Sequence, residues 1–152
     1  MADSRARAHL RRGLEVHVTK LGYSCVGAIS GVPVPEVVRI NPARGRVIYG
    51  ETVVRRDLDS KRCHARLLFF SQRRTRHRGS ILFFIAVATT DQQRLETLLA
   101  QLDIRSGIRG GHVHVVPIVP LRPVRGRRAV DARASAPKVR RTVRAAGRAR
   151  RH

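Results

Sequence analysis

The 152-residue sequence predicts one α/β domain, residues 1–121, followed by an arginine-rich disordered segment, residues 122–152. Three features carry this prediction. Apolar stripes at helical spacing alternate with Val- and Ile-rich runs, the pattern of a sheet layered with helices. The run Ile81–Ala88 is almost wholly apolar, as expected of a central strand covered on both faces. After Val119-Pro-Leu-Arg-Pro the large apolar residues give way to Arg, Ala, Gly, Pro and Val, which cannot assemble a core.

Leu10, Leu14, Val18 and Leu21 predict a first helix over Ser4–Leu21, with Gly22 as its stop. Tyr23–Ile29, Pro35–Asn41 and Arg46–Val54 read as strands, and Pro42-Ala-Arg-Gly45 as the turn between the last two. Asp59-Ser60 can cap a second helix carrying Cys63, Leu67 and Phe70 on one stripe. A basic loop, Arg73–Gly79, leads to the strand Ser80–Ala88. Thr90, with Gln93 closing a capping box, is expected to start a third helix that buries Leu95, Leu98, Leu99 and Leu102. His112–Ile118 is the last strand, so the order is α-β-β-β-α-β-α-β.

Charge narrows the function. Lys and Arg number 32 against 10 Asp and Glu, a net +22. Lys20, Lys61 and Lys138 are the only lysines, so 29 of the 32 cations are arginine, the side chain that grips phosphate bidentately. Residues 122–152 hold 12 cations and one acid, leaving 20 and 9 for residues 1–121, so each part carries +11. The domain is basic without its tail, and a phosphate-rich partner is expected. No apolar run approaches the roughly 18 residues of a membrane span, and no apolar leader stretch opens the chain. A cytoplasmic protein is expected, with association to the nucleoid a natural extension. Cys25 and Cys63 read as small core residues.

The hairpin places two acids together. If Pro42–Gly45 is a four-residue loop, Asn41 faces Arg46 and paired positions sum to 87, so Ile40 faces Val47, Val38 faces Tyr49 and Glu36 faces Glu51. Positions 36, 38, 40 and 47, 49, 51 then share one face. Opposed like charges are destabilising, and burying them unpaired is costly. Two readings resolve the conflict. A divalent cation between the carboxylates could act on a scissile phosphate. Alternatively, one or both glutamates pair with a neighbouring arginine. A register slipped by one residue would dissolve the pair.

This order of elements, with Pro35-Glu36 on one strand and Gly50-Glu51-Thr52-Val53 on the next, resembles the PD-(D/E)xK nuclease superfamily, the restriction-endonuclease-like fold. The resemblance covers about residues 5–88. It implies Mg²⁺ held by Glu36 and Glu51, with Glu15 as an additional acid, and phosphodiester hydrolysis by water. The family pattern has a lysine where this chain has Val53, so Arg55 or Lys61 would have to supply the missing cation. Nucleic acid is the expected partner, DNA ahead of RNA, and the resemblance adds a homodimer where both strands are cut. A basic nucleoid- or ribosome-associated binding protein is the alternative.

The phosphate-contact set read from the sequence is Arg39, Arg44 and Arg46 around the hairpin, with Arg73, Arg74, Arg76 and Arg78 in the basic loop. His112 and His114 share a strand face without further zinc ligands at a suitable spacing. Gly107–Gly111 lacks the context of a phosphate loop, and Ser24, Ser30 and Ser71 lack that of a nucleophile elbow. The phenylalanines fall in core runs, so stacking on single-stranded bases is not expected, and backbone contacts to a duplex or to structured nucleic acid are.

Overall fold

A computed structural model describes residues 2–73, 81–107 and 111–122, all within one unit of the chain. The segment from Pro123 onward, and with it the expected disordered tail, lies outside the described residues, as do Arg74, Arg76 and Arg78.

The elements are α1 (Ala2–Lys20), β1 (Cys25–Val26), β2 (Val37–Asn41), β3 (Arg46–Val53), α2 (Lys61–Ser71), β4 (Leu82–Ala88), α3 (Gln92–Gln101) and β5 (Val113–Ile118). They form a five-stranded mixed sheet in the order β1-β2-β3-β4-β5. The first three strands are antiparallel, and β3, β4 and β5 are parallel to one another. Each parallel connection carries a helix, as such crossovers require. The chain is therefore α/β, with the elements in the predicted order.

Pleating divides the core into two layers. Leu10, Leu14 and Val18 of α1 pack on Val37, Ile48, Phe84, Ala86 and Val116. On the opposite face, Leu67 and Phe70 of α2 and Leu95 and Leu99 of α3 pack on Tyr49, Val53, Phe83, Ile85 and Val87. Phe70 sits at the centre of the second layer, edge-on to Tyr49 with ring centroids 5.9 Å apart and tilted against Phe83 at 5.8 Å.

The end of α1 follows from Gly22. Its φ of +94° closes the helix with Gly22 N–H on Thr19 O at 3.0 Å and Tyr23 N–H on Val18 O at 3.0 Å. These are the two bonds of a Schellman cap, and Tyr23 and Val18 are both buried beside it. Ser60 caps α2 by accepting from Cys63 N–H at 3.5 Å.

The elements differ from those read in the sequence at four points. The strand at Tyr23–Ile29 shrinks to Cys25–Val26, paired with Ile40 and Arg39, with one further bond from Gly27 N–H to Val38 O at 3.1 Å; Val26 is 77% exposed there. Cys25 is exposed rather than in the core. A 3-10 turn, Arg55–Asp59, separates β3 from α2. Thr90 lies in a second such turn, Thr89–Asp91, and α3 starts after it at Gln92 with no side-chain cap.

Gly50 sets how closely α1 approaches the sheet. A Cβ there would stand 2.7 Å from Leu14 Cδ2 and 3.0 Å from Val37 Cβ, both on buried residues. The Gly50→Val variant is expected to lose about 1–3 kcal/mol of stability through overpacking. Urea unfolding followed by circular dichroism checks this, and unchanged stability would contradict the close seating of α1.

Candidate carboxylate site

The hairpin register is the one derived from the turn. Val37 pairs with Gly50, Val38 with Tyr49 and Asn41 with Arg46, so the sum of 87 holds throughout. Glu36 immediately precedes β2, and Glu51 lies near the end of β3. The two meet through a hydrogen bond from Glu36 N–H to Glu51 Oε1, 3.1 Å long.

Each carboxylate has its own arginine. The Glu51 side chain, 6% exposed, faces α2, where Arg66 donates from Nε to Oε2 at 3.0 Å and from Nη2 to Oε1 at 2.7 Å. This is the bidentate fork that gives guanidinium–carboxylate pairs their geometric specificity. Arg66 is itself held by Val34 O at 2.8 Å and by the Phe70 ring, whose centroid is 5.3 Å from its guanidinium carbon. Glu36 stands outside the ladder, so pleating does not hold its carboxylate on the Glu51 face. It turns toward α1 instead, where Thr52 donates to Oε2 at 2.5 Å and Arg7 Nη1 donates to Oε1 at 3.0 Å. Arg7 Nη1 also reaches Thr52 O at 2.9 Å and Thr52 Oγ1 at 3.2 Å. Arg7 Nη2 pairs with Asp57 at 2.5 Å, and Asp57 accepts from Val54 N–H at 3.1 Å.

The electrostatics follow from burial against pairing. Burial pushes the Glu51 carboxyl above the usual carboxylate range, and Arg66 opposes this without cancelling it. Arg66 is raised by the bonds it donates to Glu51, against the effect of its own partial burial. Partial burial works to lower Arg7, but Asp57 and Glu36 outweigh it and hold the guanidinium above its ordinary value. Close by, burial followed by the charges of Asp57 and Glu51 pushes the Cys63 thiol up to about 11.

The other residues singled out by sequence fall elsewhere. Glu15 pairs with Arg39 at 3.1 Å and with Arg11 at 3.5 Å. It lies eight residues along α1 from Arg7, about 12 Å of helix axis, so it does not join the glutamate pair. Arg55, largely exposed in the 3-10 turn, is 3.8 Å from Asp91, and Lys61 is exposed at the start of α2; neither bonds Glu36 or Glu51. Val53, at the position where the resemblance calls for lysine, is 1% exposed in the core under α2. Arg39 is spent on Glu15 and Val38 O, which removes it from the phosphate-contact set. Arg44 and Arg46 are exposed at the hairpin turn. Arg73 is exposed just past α2, its guanidinium 4.8 Å from the Phe69 ring. Because α2 runs back along β3, with Arg66 at Glu51 and Phe70 at Tyr49, Arg73 comes to the hairpin end. The glutamates stand at the other end, five residues and about 17 Å along β3 from Arg46. His112 precedes β5 and bonds Ser71 O, while His114 stacks on Phe84 at 4.9 Å.

The Mg²⁺ site implied by the resemblance does not fit this arrangement. All four carboxylate oxygens of Glu36 and Glu51 accept from protein donors, and a guanidinium nitrogen stands within 3.0 Å of three of them. Among the described residues no three His, Cys, Asp or Glu side chains gather as metal ligands. No family model matches the sequence, no curated protein matches it, and no solved structure matches the fold.

Sequence reasoning missed Arg7 and Arg66, although it left open that arginines would hold the glutamates. The pairing predicts a pH signature. Glu51 has a raised carboxyl value in the folded chain, so the folded state keeps a proton that the unfolded state releases, and its burial destabilises more as pH rises through that window. Removing Arg66 deletes the opposing influence and moves the window upward. Arg66→Met is expected to cost about 3 kcal/mol at pH 7, as for a buried charge stripped of its partner. The deficit relative to wild type should shrink at about pH 5. Urea unfolding of both proteins at both pH values reads this, and an equal deficit would contradict the pairing.

Proposed function

We propose that the protein binds nucleic acid through backbone phosphates, on a restriction-endonuclease-like scaffold whose carboxylate site is closed by arginine and does not hydrolyse its partner. The observation that carries this reading is the double pairing Glu36–Arg7 and Glu51–Arg66. It engages the opposed glutamates internally and leaves the net +22 as the dominant chemical property of the chain. The order α-β-β-β-α-β and the placement of Pro35-Glu36 beside Glu51 support the scaffold; Val53 in place of lysine and the arginine pairs support the loss of chemistry.

Arg44 and Arg46 are the leading phosphate contacts. Both are exposed, Arg44 in the hairpin turn and Arg46 at the start of β3, and neither pairs with an acid among the described residues. Elsewhere several acids are matched: Asp3 with Arg56, Asp59 with Arg94, Asp91 with Arg55. A duplex suits this surface better than single strands, because the phenylalanines are engaged in ring contacts within or at the margin of the core. DNA is the favoured partner.

Fluorescence anisotropy with a labelled DNA duplex, from about 50 to 200 mM salt, tests this. Wild type is expected to bind with a steep salt dependence. Arg44→Ala/Arg46→Ala should bind more weakly, with the slope of log affinity on log salt reduced by about 2. No cutting is expected with Mg²⁺ or Mn²⁺. Absence of binding at physiological salt would contradict the binding reading. Metal-dependent cutting abolished by Glu51→Gln would contradict the loss of hydrolysis.

A further inference from the structure

The N-terminal part of α1 delivers a cation into a cluster of oxygens. Leu10, Leu14 and Val18 fix the helix face, and Gly50 admits it close to the sheet. Arg7 continues the same stripe, three residues before Leu10 and seven before Leu14, so its side chain projects along the sheet toward the end of β3. There Nη1 meets a carboxylate oxygen of Glu36, the backbone oxygen of Thr52 and the Thr52 hydroxyl at 3.0, 2.9 and 3.2 Å, while Nη2 meets Asp57. Carboxylates, a backbone carbonyl and a hydroxyl are the oxygen types that hold hard divalent cations. The ligands come from three separate pieces of chain: the residue before β2, the end of β3 and the 3-10 turn.

We infer that Arg7 is the resident cation of this site: its guanidinium fills the position of a divalent metal ion, so the native protein takes no Mg²⁺ or Mn²⁺ there, and removing it opens a metal site. The inference rests on the reading that the glutamates are closed to metal in the native chain, and extends it to one replaceable residue. Charge supports the exchange. Glu36, Glu51 and Asp57 contribute −3, and Arg7 and Arg66 contribute +2. Without Arg7 the cluster carries −2, the charge a divalent ion neutralises. Arg66 stays forked on Glu51, leaving Glu36, Asp57 and the Thr52 carbonyl as the vacated set.

The test is Mn²⁺ titration of the full-length chain, read by the loss of the free-ion paramagnetic resonance signal and by calorimetry. Wild type is expected to bind no tighter than millimolar. Arg7→Ala should bind one Mn²⁺ at least tenfold more tightly and gain thermal stability from it, and Arg7→Ala/Glu36→Gln should return to the wild-type value. Arg7→Met, which keeps part of the apolar stem, is the second variant should alanine leave α1 poorly seated. A folded Arg7→Ala or Arg7→Met with wild-type Mn²⁺ affinity would overturn the inference. So would failure of both variants to fold even in excess Mn²⁺, since the ion then could not take the guanidinium's place. Submillimolar Mn²⁺ binding by wild type that Glu36→Gln abolishes would overturn both this inference and the loss of hydrolysis. Absence of DNA binding would leave the Arg7 assignment standing.

Discussion

A carboxylate buried near the end of a central strand must be neutralised, and much of this site's construction answers that demand. Glu51 sits between a neighbouring glutamate and the core under α2, where an unpaired charge would cost several kcal/mol. Arg66 meets it with a two-pronged bond, and the Glu36 backbone N–H adds a third donor. Glu36 in turn is drawn away to Thr52 and Arg7, which separates the two negative charges that the hairpin register brings together. The seating of α1 and α2 on opposite faces of the sheet is thereby tied to one pair of opposed acids.

That arrangement also explains the valine at position 53. The side chain points into the layer beneath α2, beside Leu67 and Val87 in one continuous apolar cluster. A cation is supplied to the glutamates from the helices instead of from the strand itself. Guanidinium groups suit such a place because they keep their charge when partly buried and spread several donors over a plane. The same property would suit the remaining arginines to the proposed phosphate contacts, so one residue type closes the acidic site and dominates the charge of the chain. The two sets are segregated along β3: the glutamates lie toward its end, and the exposed Arg44 and Arg46 lie at the hairpin turn.

Much of the fold was legible because its signals were local. The four-residue turn set the register through β2 and β3, and the stripe of Leu10, Leu14 and Val18 marked the buried face of α1. The apolar run at 81–88 identified the strand covered on both sides. The first strand is shorter than Val26 and Ile29 suggest: it pairs with β2 only at Cys25 and Val26, with one further bond from Gly27 N–H to Val38 O. The third helix starts late because a 3-10 turn absorbs the residues expected to cap it. At the site, the meeting of Glu36 and Glu51 was legible and the identity of their partners was not. Among 29 arginines, composition cannot single out two. Position can: Arg7 continues the spacing of Leu10 and Leu14, and Arg66 lies three residues after Cys63 and four before Phe70. A charged residue on a buried stripe signals an acid waiting across the interface.

The central claim is that arginine, and not metal, neutralises the two glutamates in the native protein. Anomalous diffraction from wild-type crystals grown in Mn²⁺ tests it most directly. The account predicts no anomalous peak within bonding distance of Glu36 or Glu51, with Arg7 on the Thr52 carbonyl and Arg66 forked on Glu51. A peak between the carboxylates, with Arg7 swung out to solvent, would contradict it.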